Sequence, residues 1–204
     1  MRKIFVTGIG TDVGKTLVSS ILVEALQADY WKPVQTGSFF STDTAKVQKW
    51  ISNTVSQIHP ETYCLKQYMS PHAAAELEGT EIKLENINIP ATDKTLIIEG
   101  AGGLMVPLNR SEFMIDMITK FDAEVILVVQ NYLGSINHTL LSVEALKSRG
   151  LNVLGLIFNG PPHQLSEDII LDTTKLKLLG RINKETDLDK SVISRYAKAF
   201  EYLK

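Results

Sequence analysis

The sequence predicts an α/β fold, a mainly parallel sheet with helices on both faces. Three observations predict it: a glycine-rich loop between an apolar strand and an amphipathic helix, four apolar β-branched runs, and helical patterns between those runs. The runs are Ile4 to Val6, Leu96 to Ile98, Val125 to Val129 and Val153 to Phe158. They lack polar alternation, as strands covered on both faces do. Leu17, Ile21, Leu22, Ala25 and Leu26 recur at spacings of three and four, and so do Leu140, Leu141, Val143 and Leu146, with Gly150 as a stop. Tyr30 to Val34 reads as one more short strand carrying Lys32, although Pro33 weakens it. The stretch from Ser52 to Asp93 is mixed and polar with isolated helical pieces, and the tail from Asp187 to Lys204 reads as a terminal helix. Parallel sheets of this kind bind ligands at the carboxyl ends of their strands, so the residues after each run are where chemistry is expected.

The 204 residues fit one domain spanning 1–204, which would bury about 70% of the surface of the unfolded chain. Apolar residues make up 44% and charged residues 22%, the balance of a globular protein rather than a disordered or fibrous one. A net charge of −2 gives no general attraction to nucleic acid or to an anionic membrane, and neither partner is expected. Cys64 is the only cysteine, which rules out an intramolecular disulfide framework or a cysteine metal cluster and fits a reducing cytoplasm. The apolar stretch after Met1-Arg2-Lys3 is too short for a signal-peptide core or a membrane span, so neither export nor insertion is expected.

The loop reads Gly8-Ile9-Gly10-Thr11-Asp12-Val13-Gly14-Lys15-Thr16. A glycine-rich turn opening a helix leaves several backbone N–H groups unpaired and points them, with the positive end of the helix dipole, at one spot suited to phosphate. Lys15 adds positive charge for the outer phosphates, and the Thr16 hydroxyl is placed for an accompanying Mg²⁺. With a strand before it and a helix after it, this is the context of a P-loop, and the fold class becomes a single-domain P-loop NTPase-like fold. Five residues rather than four separate Gly8 from Gly14, so the loop is a variant of the standard one.

Mg²⁺ takes oxygen ligands, usually one or two carboxylates beside phosphate and water. Glu99 follows the Leu96 to Ile98 run directly and would look across to Thr16, and a buried carboxylate there needs a cation. Asp43, in Ser41-Thr42-Asp43-Thr44 before a helical stretch, reads equally well as a helix cap or as a ligand. Lys32 either faces solvent from an edge strand or brings a second ammonium to the rim beside Lys15. His59, His72, His138 and His163 show no metal-binding spacing and read as structural. Cys64 reads as buried and inert.

Taken together, Gly8 to Thr16, Lys32-Pro-Val-Gln-Thr-Gly-Ser38, Ser70-Pro-His72, Glu99-Gly-Ala-Gly-Gly103 and Leu133-Gly-Ser-Ile-Asn-His138 resemble the dethiobiotin synthetases over almost the whole chain. The resemblance implies an ATP-dependent ligase of biotin synthesis. It closes 7,8-diaminopelargonate and CO₂ into dethiobiotin through a phosphorylated carbamate, with Mg²⁺ as cofactor. It implies Lys32 and Lys15 as catalytic residues, and Thr16, Asp43 and Glu99 as metal ligands. Asp12, Val13, Gly14, Lys15, Thr16, Leu17, Asp43, Glu99, Gly100, Ala101, Gly102, Asn159 and Gly160 would hold nucleotide, Asn159 at the adenine. Thr11, Lys15, Lys32 and Thr36 would hold substrate. The family's homodimer implies that Gly134, Ser135 and Asn137 of a partner complete that site. One departure stands out: the family often has Gly-x-Ile-Pro after its last strand, where this chain has Gly180-Arg181-Ile182-Asn183, which bears on the adenine-side wall and on ATP preference.

Two other kinds of protein compete for such a loop. Partition and positioning ATPases share such a fold, but their loop carries an extra lysine near its start, and none lies between Gly8 and Gly14. Glutamine-dependent amidoligases need a further glutaminase domain, for which this chain has no room.

Overall fold

A computed structural model describes residues 1–37 and 41–204; Ser38, named in the Lys32 motif, lies outside the described residues. The strands and helices alternate as β1 (Lys3–Gly8), α1 (Lys15–Leu26), β2 (Asp29–Trp31), β3 (Val34–Thr36), α2 (Asp43–Trp50), β4 (Ile58–His59), β5 (Tyr63–Leu65) and α3 (Pro71–Leu77). They continue as β6 (Leu96–Gly103), α4 (Met114–Phe121), β7 (Glu124–Gln130), α5 (Ser135–Ser148), β8 (Val153–Asn159), α6 (Gln164–Thr174), β9 (Leu178–Ile182) and α7 (Lys190–Ala197). Seven strands form one sheet in the order β4-β2-β6-β1-β7-β8-β9, and β3 pairs with β5 in a second, two-stranded sheet. Every pairing between these strands is parallel.

The non-alternating runs are explained by burial on both faces. In β1, Ile4 and Val6 pack into the cluster that includes Val18, Ile21 and Leu22 of α1, while Phe5 packs on the other face with Met114 and Ile118 of α4. Ile97 and its neighbours Leu96 and Ile98 divide between the same two clusters. Each side chain along a strand points away from the next, so a strand covered twice needs apolar residues at every position.

The structure corrects several sequence expectations. Tyr30 to Val34 is not one strand: β2 ends at Trp31, Lys32 and Pro33 turn out of the sheet, and Val34 begins β3 in the second sheet. Pro33 has no N–H to continue a ladder, and its carbonyl instead accepts from the N–H groups of Thr62 and Tyr63. Glu99 is not at the tip of its strand, because the small residues after it continue β6 to Gly103, which pairs with Gly8. Gly180 to Ile182 lies within β9 rather than after it. The terminal helix begins at Lys190, capped by Asp189, which accepts from the Val192 N–H, and it ends in a 3₁₀ segment from Lys198 to Leu203. Cys64 is exposed, not buried. Partial burial and the nearby Glu61 and Glu78 push its thiol pKa up.

Candidate active site

The phosphate loop crosses from β1 into α1. Gly8 is required because a Cβ there would come within 2.4 Å of Val13 Cγ2. Asp12 and Gly14 both sit in the left-handed region, at φ 58° and 97°, a backbone pattern that turns successive N–H groups inward as an anion cradle. Gly14 has no side chain with which to cap α1, so the helix opens with its N–H groups free for a ligand. Lys15 is 7% exposed and donates from Nζ to the Gly10 carbonyl at 2.8 Å. Burial lowers its pKa to about 8, against the pull of Glu99, with Lys32 lowering it further.

This gives a prediction. Free Lys15 is largely neutral above pH 8, and a polyphosphate in the cradle restores its charge, so nucleotide binding at pH 9 takes up to about one proton. Calorimetry in buffers of different ionisation enthalpy reads that uptake directly, and buffer-independent heats would refute it. Because the folded pKa lies below the ordinary value of 10.5, the unfolded chain binds more protons between these values. Lys15 therefore makes the free protein gain stability as pH rises from about 8 through about 10.5.

Beside the loop lies a buried ionic cluster. β2 and β6 run parallel with Trp31 level with Ile98, which brings Lys32 level with Glu99. Lys32 (4% exposed) donates to Glu99 Oε1 at 3.0 Å and makes a second, shorter bond to Asp43 Oδ2. Thr16 Oγ1 donates to the same Glu99 oxygen at 2.8 Å, and the buried Tyr30 hydroxyl donates to Glu99 Oε2 at 3.0 Å. Burial would lower the Lys32 pKa, but the charges of Glu99 and Asp43 outweigh it and raise it, so Lys32 stays charged. Burial likewise would raise Asp43, yet Lys32, with Lys46 at 2.9 Å, holds it down to about 2. Tyr30 is pushed well above its usual range by burial and by Glu99 and Asp43, and remains a hydrogen-bond donor.

The structure thus brings together Lys15, Thr16, Lys32, Asp43 and Glu99. Asp43 is not the cap of α2: Thr42 caps it, accepting from the Ala45 N–H, and the Asp43 carboxylate meets Lys32 and Lys46 instead. Two residues were missed from sequence. Tyr30, two positions before Lys32, reaches the same Glu99 carboxylate, and a period of two along the expected Tyr30 to Val34 strand could have pointed to it. Gln35 accepts from the Asp43 N–H at 3.0 Å through its Oε1 and so fixes the start of α2.

Other expected residues fall nearby. Thr11 and Asp12 are exposed on the loop, and a Cβ on Gly102 would lie 3.8 Å from Thr11 Oγ1. Gly100 and Ala101 lie on β6 under the loop, Gly100 packed so tightly that a Cβ would meet Phe5 at 2.8 Å. The Leu17 side chain packs toward the core, leaving only its backbone for a ligand. Asn159 ends β8 and touches the loop, and Gly160 donates to the Ile182 carbonyl at 2.8 Å. Thr36 is half-buried on β3. Gly134, Ser135 and Asn137 open α5, with Ser135 buried and Asn137 exposed. Among the described residues no hydrogen bond joins these three to the Lys32 cluster of the same chain. At the edge of the sheet Arg181 pairs with Glu167, stacks 5.4 Å from the Phe158 ring, and the Asn183 N–H donates to the Tyr196 hydroxyl, a bond that a proline at that position could not make.

An oxygen-only set of two carboxylates and a hydroxyl suits Mg²⁺, and the Lys32 ammonium between the two carboxylates marks the position as one built for positive charge.

An AAA domain family matches residues 2–192. The ATP-dependent dethiobiotin synthetase BioD of Christiangramia forsetii is 52% identical, over 98% of this chain and 96% of that protein. The BioD of Cytophaga hutchinsonii is 54% identical, over 97% of this chain and 96% of its own length. Among solved structures, the septum site-determining protein MinD from Pyrococcus horikoshii, complexed with Mg-ADP, superposes with a TM-score of 0.63. It is 16% identical over 99% of this chain and 96% of that one, a likeness of fold alone. With more than half its residues shared along nearly the full length of the BioD proteins, and with the P-loop and the Lys32 cluster side by side, this chain belongs to the dethiobiotin synthetase family.

Proposed function

We propose that the protein is an ATP-dependent ligase that closes 7,8-diaminopelargonate and CO₂ into dethiobiotin, acting as one domain of 204 residues in the cytoplasm. The observation that carries this reading is the meeting of Lys15 and Lys32 with Thr16, Asp43 and Glu99 at the mouth of the phosphate loop. One amine of the substrate adds to CO₂, loses a proton and becomes a carbamate. A carbamate oxygen then attacks the γ-phosphorus and ADP leaves. The second amine attacks the carbamoyl carbon, phosphate leaves, and the cyclic urea is closed.

Carbamate and γ-phosphate are both anions, so their approach needs positive charge held in place before reaction. Lys15 and the N–H groups of the loop supply it on the phosphate side, and Lys32 supplies it between the two anions. Tyr30, Thr16 and Gln35 keep the carboxylates in position. Thr16, Asp43 and Glu99 would hold Mg²⁺, which when bound neutralises phosphate oxygens. The test is dethiobiotin, detected by mass, appearing only when diaminopelargonate, bicarbonate, Mg²⁺ and ATP are all present.

Support for a homodimer comes from the exposed position of Asn137, which among the described residues makes no side-chain hydrogen bond to the Lys32 cluster of its own chain. If the Gly134 to Asn137 segment completes a partner's substrate site, mixing inactive Lys32→Ala and Asn137→Ala proteins restores activity, because one of the two mixed sites is then intact. Mixtures no more active than their components count against a shared site.

A further inference from the structure

The resemblance gives Asn159 a contact with the base, yet in the structure its side chain is engaged elsewhere. Its Nδ2 donates to the Val13 carbonyl in the middle of the phosphate loop, at 3.0 Å across 146 residues of chain. The contact is close: a Cβ on Gly14 would lie 2.2 Å from Asn159 Nδ2 and 2.9 Å from its Cγ, so the amide rests against the bare Cα. Gly14 at φ 97° has the backbone conformation that favours glycine, and a Cβ there would push the Asn159 amide out of place.

Among the described residues no peptide bond is cis. In a trans peptide the carbonyl and the following N–H point in opposite directions. Holding the Val13 carbonyl toward β8 therefore aims the Gly14 N–H away from β8. The adjoining residue Asp12 sits at φ 58°, in the left-handed region that aspartate tolerates. The anchor is rigid, since Asn159 is paired in register with Gln130 on one side and Ile182 on the other.

We propose that Asn159 is a positioning residue of the phosphate loop: by clamping the Val13 carbonyl it sets the Gly14 N–H toward the phosphates, independently of any contact with the base. An asparagine amide has two N–H donors and a carbonyl oxygen, so the bond to Val13 leaves one donor and the acceptor available to a base. The inference rests on reading Gly8 to Thr16 as a polyphosphate site.

ATP cannot separate the two roles, but inorganic tripolyphosphate, which has no base, can. Binding of Mg-tripolyphosphate and of Mg-ATP is measured by calorimetry on the wild type, Asn159→Ala and Asn159→Asp. Loss of one hydrogen bond between neutral groups predicts that Asn159→Ala binds tripolyphosphate roughly three- to tenfold more weakly. Asn159→Asp keeps the size but sets an acceptor against the Val13 carbonyl, and weakens it at least as much. Should the alanine variant not fold, the aspartate variant carries the test. Unchanged tripolyphosphate affinity in a folded variant, with only ATP affinity reduced, overturns the proposal and leaves Asn159 a base contact. Because this readout needs no diaminopelargonate, failure to form dethiobiotin would refute the proposed function without touching it.

Discussion

Lys32→Ala is expected to lower turnover by roughly 10²-fold or more, the loss that follows removal of one donor aimed at developing negative charge. The same substitution leaves Glu99, 1% exposed, with the hydroxyls of Thr16 and Tyr30 as its hydrogen-bond partners among the described residues. A buried charge stripped of its counter-ion costs about 3–5 kcal/mol. Denaturation without divalent metal should show this loss, and Mg²⁺ should recover more stability in the variant than in the wild type, since a metal at the carboxylates substitutes for the missing ammonium. Near-normal turnover would remove Lys32 from the chemistry. Unchanged stability would mean that the ammonium does not hold the two carboxylates together. The wild type also has a defined acid limit: Asp43, held at about 2 against an ordinary 3.8, contributes stability above 3.8 that is lost as pH falls through about 2.

Glu99→Gln is nearly isosteric and tests the metal assignment. The amide can still meet Thr16 and Tyr30, but the charge is gone. Loss of outer-shell partners alone costs about 10–100-fold in metal affinity, and a directly ligating carboxylate should cost at least as much. The Mg²⁺ concentration that half-saturates activity should rise accordingly, with maximal turnover also reduced. A Glu99→Gln enzyme with the wild-type Mg²⁺ dependence would dismiss Glu99 as a ligand.

What could be read from the sequence was whatever chemistry is written in consecutive residues. The loop from Gly8 to Thr16 announces itself by glycine spacing, and the central strands by runs with no polar positions. The failures have a common cause. Tyr30 meets Glu99 across 69 positions, and Asn159 meets Val13 across 146, so neither contact exists until the strand order is known. The break at Lys32-Pro33 was legible as a weakness in a strand, but not as a change of sheet, because that depends on β5 arriving beside β3. Strands as short as β4 carry too few residues for any periodicity to appear. The ambiguity of Asp43 was local and vanished for a local reason: its neighbour Thr42 took the cap. Glu99 is buried, and Lys32 is the cation that stands beside it.

The proposed route requires a carbamate oxygen to be transferred to phosphorus within this cluster. Running the reaction with ¹⁸O-labelled bicarbonate tests it directly. The label should appear in the released phosphate as a single ¹⁸O, in step with dethiobiotin, with the remaining labelled oxygen in the ureido carbonyl. Dethiobiotin formed alongside unlabelled phosphate would contradict the mechanism, and ATP hydrolysis with no dethiobiotin would contradict the function.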